Sequence, residues 1–217
     1  MSRGGVAVRA DALGYDPDLA RAHLIEADPR LGELMIRVGE FTMRPRADQS
    51  LFAALMRSIV YQQLTGKAAS TILQRVIRTS TTRRFPTPRE LLLVSPEGLR
   101  QAGLSAAKTA AVRDLAQKTL DGTVPSLAQV RRMSDEEILE RLTLVRGIGP
   151  WTVEMLLIFR LGRPDVFPVS DLGVRKGFGQ VFLKGKLADP AVMRRRAERW
   201  RPYRSMASWY LWRALEL

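Results

Sequence analysis

Apolar positions along this chain recur at three- and four-residue intervals, and capping residues punctuate them. In "SLFAALMRSIVYQQL" they fall at 51, 52, 55, 59 and 60, one stripe of a helix. Thr65-Gly66 interrupts the stripe, and "KAASTILQRVI" resumes the period. "YDPDLARAHLIEAD" opens with Asp16 as N-cap and Pro17 at the first helical position, and "DPRLGELMIRVGEF" repeats the device with Asp28 and Pro29. "SPEGLRQAG" runs from the cap Ser95 to the terminator Gly103, and "SAAKTAAVRDLAQKTLDG" from Ser105 to Gly122. "SDEEILERLTLV" opens on Ser134 and Glu137, a capping box. "DPAVMRRRAERW" and "PYRSMASWYLWRALEL" close the chain. No stretch alternates as a strand would; "DVFPV", at 165–169, is the best short extended segment. The pattern predicts an all-α protein.

Breaks near Pro45 and Gly147 predict a discontinuous arrangement of two helical lobes. Residues 48–144 would form the middle lobe, and residues 1–47 together with 145–217 the second. A helix-hairpin-helix at about 134–162 would cross the boundary, beside a cleft flanked by Leu64 and by the hairpin. A chain of 217 residues has room for one large domain or two small ones.

Charge changes this picture most. The net charge is +13 and the pI about 11.0. From Arg146 onward there are 14 Lys+Arg and 6 Asp+Glu, so +8 of the +13 lies in the last third. Such a balance fits a polyanionic partner, with nucleic acid ahead of an anionic membrane surface. No cysteine is present, which excludes disulfides, zinc–thiolate sites, iron–sulfur clusters and thiol nucleophiles. A single histidine, His23, argues against a histidine-based triad or metal centre, and it is expected to have no functional role. No apolar run reaches the length of a membrane span or a signal peptide, so a cytoplasmic, nucleoid-associated protein is expected.

Three elements carry candidate chemistry. The first is "LVRGIGPWTVEM", residues 144–155. Gly147 and Gly149 allow positive φ and close approach of a backbone, and Pro150 suits the first turn of a helix. A helix N-terminus reached through such a turn presents N–H groups and partial positive charge to a phosphate. An αα corner without a ligand would use the same residues. The second is "DVFPVSDLGVRKGFG", in which Asp171 precedes a basic helix start. It reads as an N-cap and also as a catalytic carboxylate, since an acid facing a polyanion is repelled unless it has a task. The third is aromatic. Trp151, Trp200, Trp209, Tyr210 and Trp212 at helical spacing suit a core, while Trp151 and Trp212 also suit stacking on an extruded cationic base.

The ordered blocks "LVRGIGPWTVEMLLIF", "DVFPVSDLGVRKGF" and "ERWRPYRSMASWYLWRAL" resemble the helix-hairpin-helix/Gly-Pro-Asp superfamily of DNA glycosylases. "MRSIVYQQLTGKAA" and "LRQAGLSAAKTAAVRDLA" match its 3-methyladenine DNA glycosylase II branch, so the likeness runs from about Asp48 to the C-terminus. The resemblance implies a two-lobed all-α fold, base flipping and hydrolysis of the N-glycosidic bond. It implies a catalytic role for Asp171, a base pocket including Trp212, Trp151 and Met155, and a wedge at Leu64 with Gln63 beside it. Gly147, Gly149 and Arg146 fall among the expected DNA contacts. The main-chain carbonyls of Thr143, Val145 and Ile148 fall where relatives hold a monovalent cation, sodium or potassium. No cofactor is required.

This chain departs from some relatives in three ways. Ser170 stands where they have a second acid, and Met155 where they have an aromatic. The residues before Asp48 are expected to be too few for the N-terminal β domain of larger bacterial relatives. The expected activity is that of a monofunctional glycosylase, acting as a monomer on double-stranded DNA that contains alkylated, cationic purines such as 3-methyladenine and 7-methylguanine. Bifunctional relatives with lyase activity carry a lysine where this chain has Trp151. A non-catalytic DNA clamp is the alternative, and it would need neither Asp171 nor the pocket tryptophans. A membrane-surface protein would need an exposed amphipathic anchor, which the sequence lacks.

Overall fold

A computed structural model of the protein describes residues 13–45, 50–80 and 84–217. Every regular element among them is helical. The chain divides into two compact units, Met1–Ala47 with Glu154–Leu217, and Asp48–Val153.

The first unit begins with α1 (Pro17–Ala27) and α2 (Pro29–Val38). Asp16 caps α1 by accepting the N–H groups of Asp18 and Leu19. Asp28 makes no side-chain cap on α2, contrary to the sequence expectation. Its carboxylate is instead fully buried and accepts from the Arg196 guanidinium at 2.7 and 2.8 Å and from Trp200 Nε1–H at 3.0 Å. Burial alone would raise the Asp28 pKa, but the bonds from Arg196 and Trp200 outweigh it and hold the carboxyl below its ordinary value. This ion pair ties the early helices to the C-terminal ones, and a buried charge left without its partner would be costly.

The second unit contains α3 (Leu51–Tyr61), α4 (Gly66–Arg78), α5 (Pro88–Leu93), α6 (Pro96–Gln101), α7 (Ala106–Leu120), α8 (Leu127–Val130) and α9 (Asp135–Thr143). Ser50, Thr65, Ser95 and Ser105 cap α3, α4, α6 and α7 through their hydroxyls. The Ser134–Glu137 capping box forms at α9, with reciprocal bonds of 3.1 and 2.8 Å. Thr65-Gly66 is therefore a helix start, which explains the break in the apolar stripe. The core of this unit is made by Leu55, Met56, Ile59, Leu91, Leu99 and Leu115, where α3 and α5 pack on α7.

Helix α10 (Pro150–Phe159) begins in the second unit and continues into the first. The first unit is completed by α11 (Leu172–Phe182), α12 (Pro190–Ala197) and α13 (Arg204–Arg213). Trp200, Tyr210 and Phe178 fill its centre together with Leu24, Leu31 and Met35. "DVFPV" is irregular rather than a strand. Ser205 Oγ accepts from the N–H of Val166 at 2.9 Å, so a side chain replaces the ladder partner that an extended segment seeks.

Asp48, the expected start of the middle lobe, lies outside the described residues. The second unit does not stop at Leu144 but runs to Val153, because the segment after α9 is bonded to α3 and α7. No helix among the described residues is long and apolar enough to cross a membrane.

Candidate functional site

Asp171 ends the irregular segment after Pro168 and begins α11. Its Oδ1 accepts the N–H of Val174 at 2.8 Å, as an N-cap does. The same oxygen accepts Trp212 Nε1–H, also at 2.8 Å. The structure thus brings together two of the residues singled out from sequence, a carboxylate at a helix N-terminus and an indole from α13. Gly173 permits the approach. A Cβ there would lie 2.7 Å from Trp212 Cδ1, closer than side chains tolerate. Phe159 lies beside the indole, with ring centroids 5.4 Å apart. Trp200, Trp209 and Tyr210 are buried core residues, which leaves Trp212 as the half-exposed aromatic of α13.

Glu154, on α10, was missed by the sequence reading. Its Oε2 is buried and accepts no hydrogen bond. Burial and, second, the charge of Asp171 push its carboxyl up to about 7, against a smaller opposing pull from Arg194. The signal was present in the sequence as the one acid in "PWTVEMLLIF". Met155 is half-buried next to it, and Trp151, one turn earlier on α10, is 46% exposed. Trp151 belongs to the second unit and Met155 to the first.

Leu64 sits in the short connection between α3 and α4 and is 39% exposed, an apolar side chain offered to solvent. Gln63 precedes it with φ of 56°, a left-handed conformation that non-glycine residues adopt infrequently. Two residues outside the sequence reading hold this turn. Lys108 Nζ donates to the carbonyls of Val60 and Gln62 at 2.8 and 2.7 Å, and Gln62 Nε2 donates to the Gly147 carbonyl at 2.8 Å.

The hairpin joins α9 to α10. The spacing of Ile138, Leu139, Leu142 and Val145 predicts one apolar face; Ile138, Leu142 and Val145 are buried and Leu139 is half-buried. Gly147 takes φ of 78° and lies against Ala111, whereas Gly149 does not adopt a positive φ. The conformational freedom of glycine is thus used at Gly147, while at Gly149 the chain passes directly into α10. A Cβ on Gly149 would meet nothing within 4 Å, so the space beside it is open to a ligand. The backbone N–H of Arg146 donates to Asp114 Oδ2 at 2.7 Å, while the Arg146 residue itself is exposed. The carbonyl of Val145 accepts the N–H of Ile148 at 3.1 Å and keeps a second lone pair. Among the described residues no cluster of three or more His, Cys, Asp or Glu is placed to hold a metal.

Residues 56–202 match the HhH-GPD superfamily of base excision DNA repair proteins. The chain is 37% identical over 199 residues to DNA-3-methyladenine glycosylase 1 of Schizosaccharomyces pombe, spanning 91% of this chain and 87% of that relative. It resembles the solved structure of Schizosaccharomyces pombe 3-methyladenine DNA glycosylase in complex with abasic DNA, with a TM-score of 0.80, 36% identity, and coverage of 92% of this chain and 97% of the other. It also resembles a DNA-3-methyladenine glycosidase from Bacillus halodurans, with a TM-score of 0.82, 32% identity, and coverage of 94% and 91%. By its sequence match, this chain belongs to the HhH-GPD superfamily of base excision DNA repair proteins.

Proposed function

We propose that this chain is a monofunctional DNA glycosylase of base excision repair. It releases alkylated purines, such as 3-methyladenine and 7-methylguanine, from double-stranded DNA by hydrolysing the N-glycosidic bond. The observation that carries the reading is the Asp171–Trp212 pair, a carboxylate bonded to an indole at 2.8 Å in a member of this superfamily.

The chemistry follows from these groups. A base inside a duplex cannot be reached, so it is extruded at a cost of a few kcal/mol. Leu64, with Gln63 beside it, fills the gap in the stack. The amides at Gly147 and Gly149, with Arg146, grip the phosphate backbone without reading sequence. A purine alkylated at N3 or N7 is a cation and leaves readily with the bonding electron pair. The carboxylate of Asp171 stabilises the positive charge that develops on the sugar, and it positions the water whose oxygen bonds to C1′. Trp212 and Trp151 each present an indole, and Met155 a polarisable thioether, of the kind that favours a cationic base; a cation–π contact contributes roughly 0.5–2 kcal/mol. Trp151 offers no amine for a Schiff base, which supports hydrolysis without strand cleavage. A sodium or potassium ion at the carbonyls of Thr143, Val145 and Ile148 would add positive charge at the phosphate grip. The protein works as a monomer on nucleoid DNA.

The test is incubation with duplex DNA carrying N-methylpurines, with the released material identified by mass and the strands examined without alkali. Free methylpurine with unbroken strands is expected. Strand scission, or no free base at any protein concentration, would overturn the reading.

A further inference from the structure

All residues in this inference lie in the second unit. Helix α3 ends without glycine, on Gln62, and turns through the left-handed Gln63 to Leu64. The carbonyls at a helix C-terminus lack partners within the helix and carry partial negative charge. Here the Lys108 ammonium accepts that role, donating to Val60 O and Gln62 O. Lys108 lies near the start of α7. Further along the same face of α7, Ala111 abuts Gly147, Asp114 accepts the N–H of Arg146, and Lys118 donates to Leu144 O at 2.6 Å while pairing with Asp114 at 2.8 Å. From Lys108 to Lys118 the helix rises roughly 15 Å. One helix therefore anchors the Leu64 turn at one end and the α9–α10 hairpin at the other. Gln62 closes the circuit by bonding directly to Gly147 O.

We propose that α7 acts as a rigid spacer between the wedge and the phosphate grip, with Lys108 and Gln62 as positioning residues for base extrusion. The inference rests on the functional reading above. A wedge must enter the stack at a fixed offset from the phosphate that the hairpin holds. Lys108 and Gln62 touch neither base nor sugar in this role; they fix the backbone on which Leu64 stands. Such preorganisation improves binding to a gapped stack, because the turn need not be ordered on contact. The hairpin keeps its own anchors on α7, Asp114 to the Arg146 N–H and Lys118 to Leu144 O, so the phosphate contacts, and hence binding to undamaged duplex, are almost untouched when Lys108 or Gln62 is changed.

The experiment compares binding to a duplex containing an abasic-site analogue with binding to the intact duplex of the same sequence. Wild type, Lys108→Met, Gln62→Leu, Leu64→Ala and the double variants with Leu64→Ala are measured at one salt concentration. Wild type should prefer the abasic duplex. Lys108→Met and Gln62→Leu should each lower that preference about tenfold, with affinity for intact duplex within about twofold of wild type. In the Leu64→Ala background neither substitution should lower the preference further, because the side chain they position is gone. Lys108→Arg, which keeps donors at that place, should restore most of the preference. Equal losses on both duplexes, or unchanged losses in the Leu64→Ala background, would overturn the inference while leaving the functional reading in place. A wild type without any preference for the abasic duplex would overturn both. Should Lys108→Met fail to fold, Gln62→Leu carries the same comparison from a half-exposed position.

Discussion

Replacing Glu154 by glutamine should change how stability depends on pH. The native carboxyl titrates at about 7, against 4.5 for the unperturbed group. Below pH 4.5 it is protonated in native and unfolded chains alike. Between 4.5 and 7 the unfolded chain has released a proton that the native state keeps, so stability falls with each step of pH. Above 7 the native carboxylate is charged, buried and beside Asp171, and the full cost stands. A difference of about 2.5 units corresponds to roughly 3.4 kcal/mol at most. The side chain is only partly buried, so solvent screening reduces this to about 2 kcal/mol. Glutamine fills the same volume and cannot ionise. The stability of Glu154→Gln minus that of wild type should therefore rise by about 2 kcal/mol between pH 4.5 and pH 8.5. Urea unfolding at several pH values reads this directly, and titrating groups not coupled to Glu154 cancel in the difference. Asp171 supplies part of the shift, so the rise should be smaller in an Asp171→Asn background. A difference that stays constant across pH would refute the account of Glu154 as a partly buried acid beside Asp171.

Three further outcomes are expected. Asp171→Asn should cost about 1 kcal/mol of stability, because the bonds from Val174 N–H and Trp212 Nε1–H end on Oδ1 and an amide oxygen can still accept them; Asp171→Ala should cost roughly 2–4 kcal/mol, having lost the cap and orphaned the Trp212 N–H. Equal losses in urea unfolding would contradict that geometry. Gly173→Ala should slow base release about tenfold while destabilising the fold by roughly 1–2 kcal/mol, since a Cβ must displace the indole from Asp171; an unchanged rate would show that the indole's position is immaterial. Leu64→Ala should weaken binding to an abasic duplex more than to an intact one, with stability within about 0.5 kcal/mol of wild type for this half-exposed side chain; parallel losses would count against a wedge.

Much of the fold was legible because helices announce their ends. Ser105 opens α7, and Ser134 with Glu137 opens α9, through bonds made within a few residues, while Gly122 follows the end of α7 at positive φ; such local chemistry is written in local sequence. Asp28 shows the limit. It stands where a cap would stand, yet its partners Arg196 and Trp200 are far along the chain and outcompete the local bond. Asp171 was legible twice over, since the cap and the candidate carboxylate are the same side chain. Its bond to Trp212 spans 41 residues, and no spacing rule reveals it. Lys108 and Gln62 escaped notice for a related reason. A lysine in an amphipathic helix reads as a solvated residue until the carbonyls of another helix's end are found within its reach. Glu154 was detectable as a lone acid in an apolar helix, but its burial was not.

The most direct test of the central claim is the single-turnover rate of 7-methylguanine release from methylated duplex DNA, wild type beside Asp171→Asn, with binding to an abasic duplex measured on the same preparations. The account predicts that the variant binds abasic DNA nearly as wild type does and releases base at least 100-fold more slowly. Release by Asp171→Asn at the wild-type rate would contradict it, and the carboxylate at the head of α11 would then be a helix cap and nothing more.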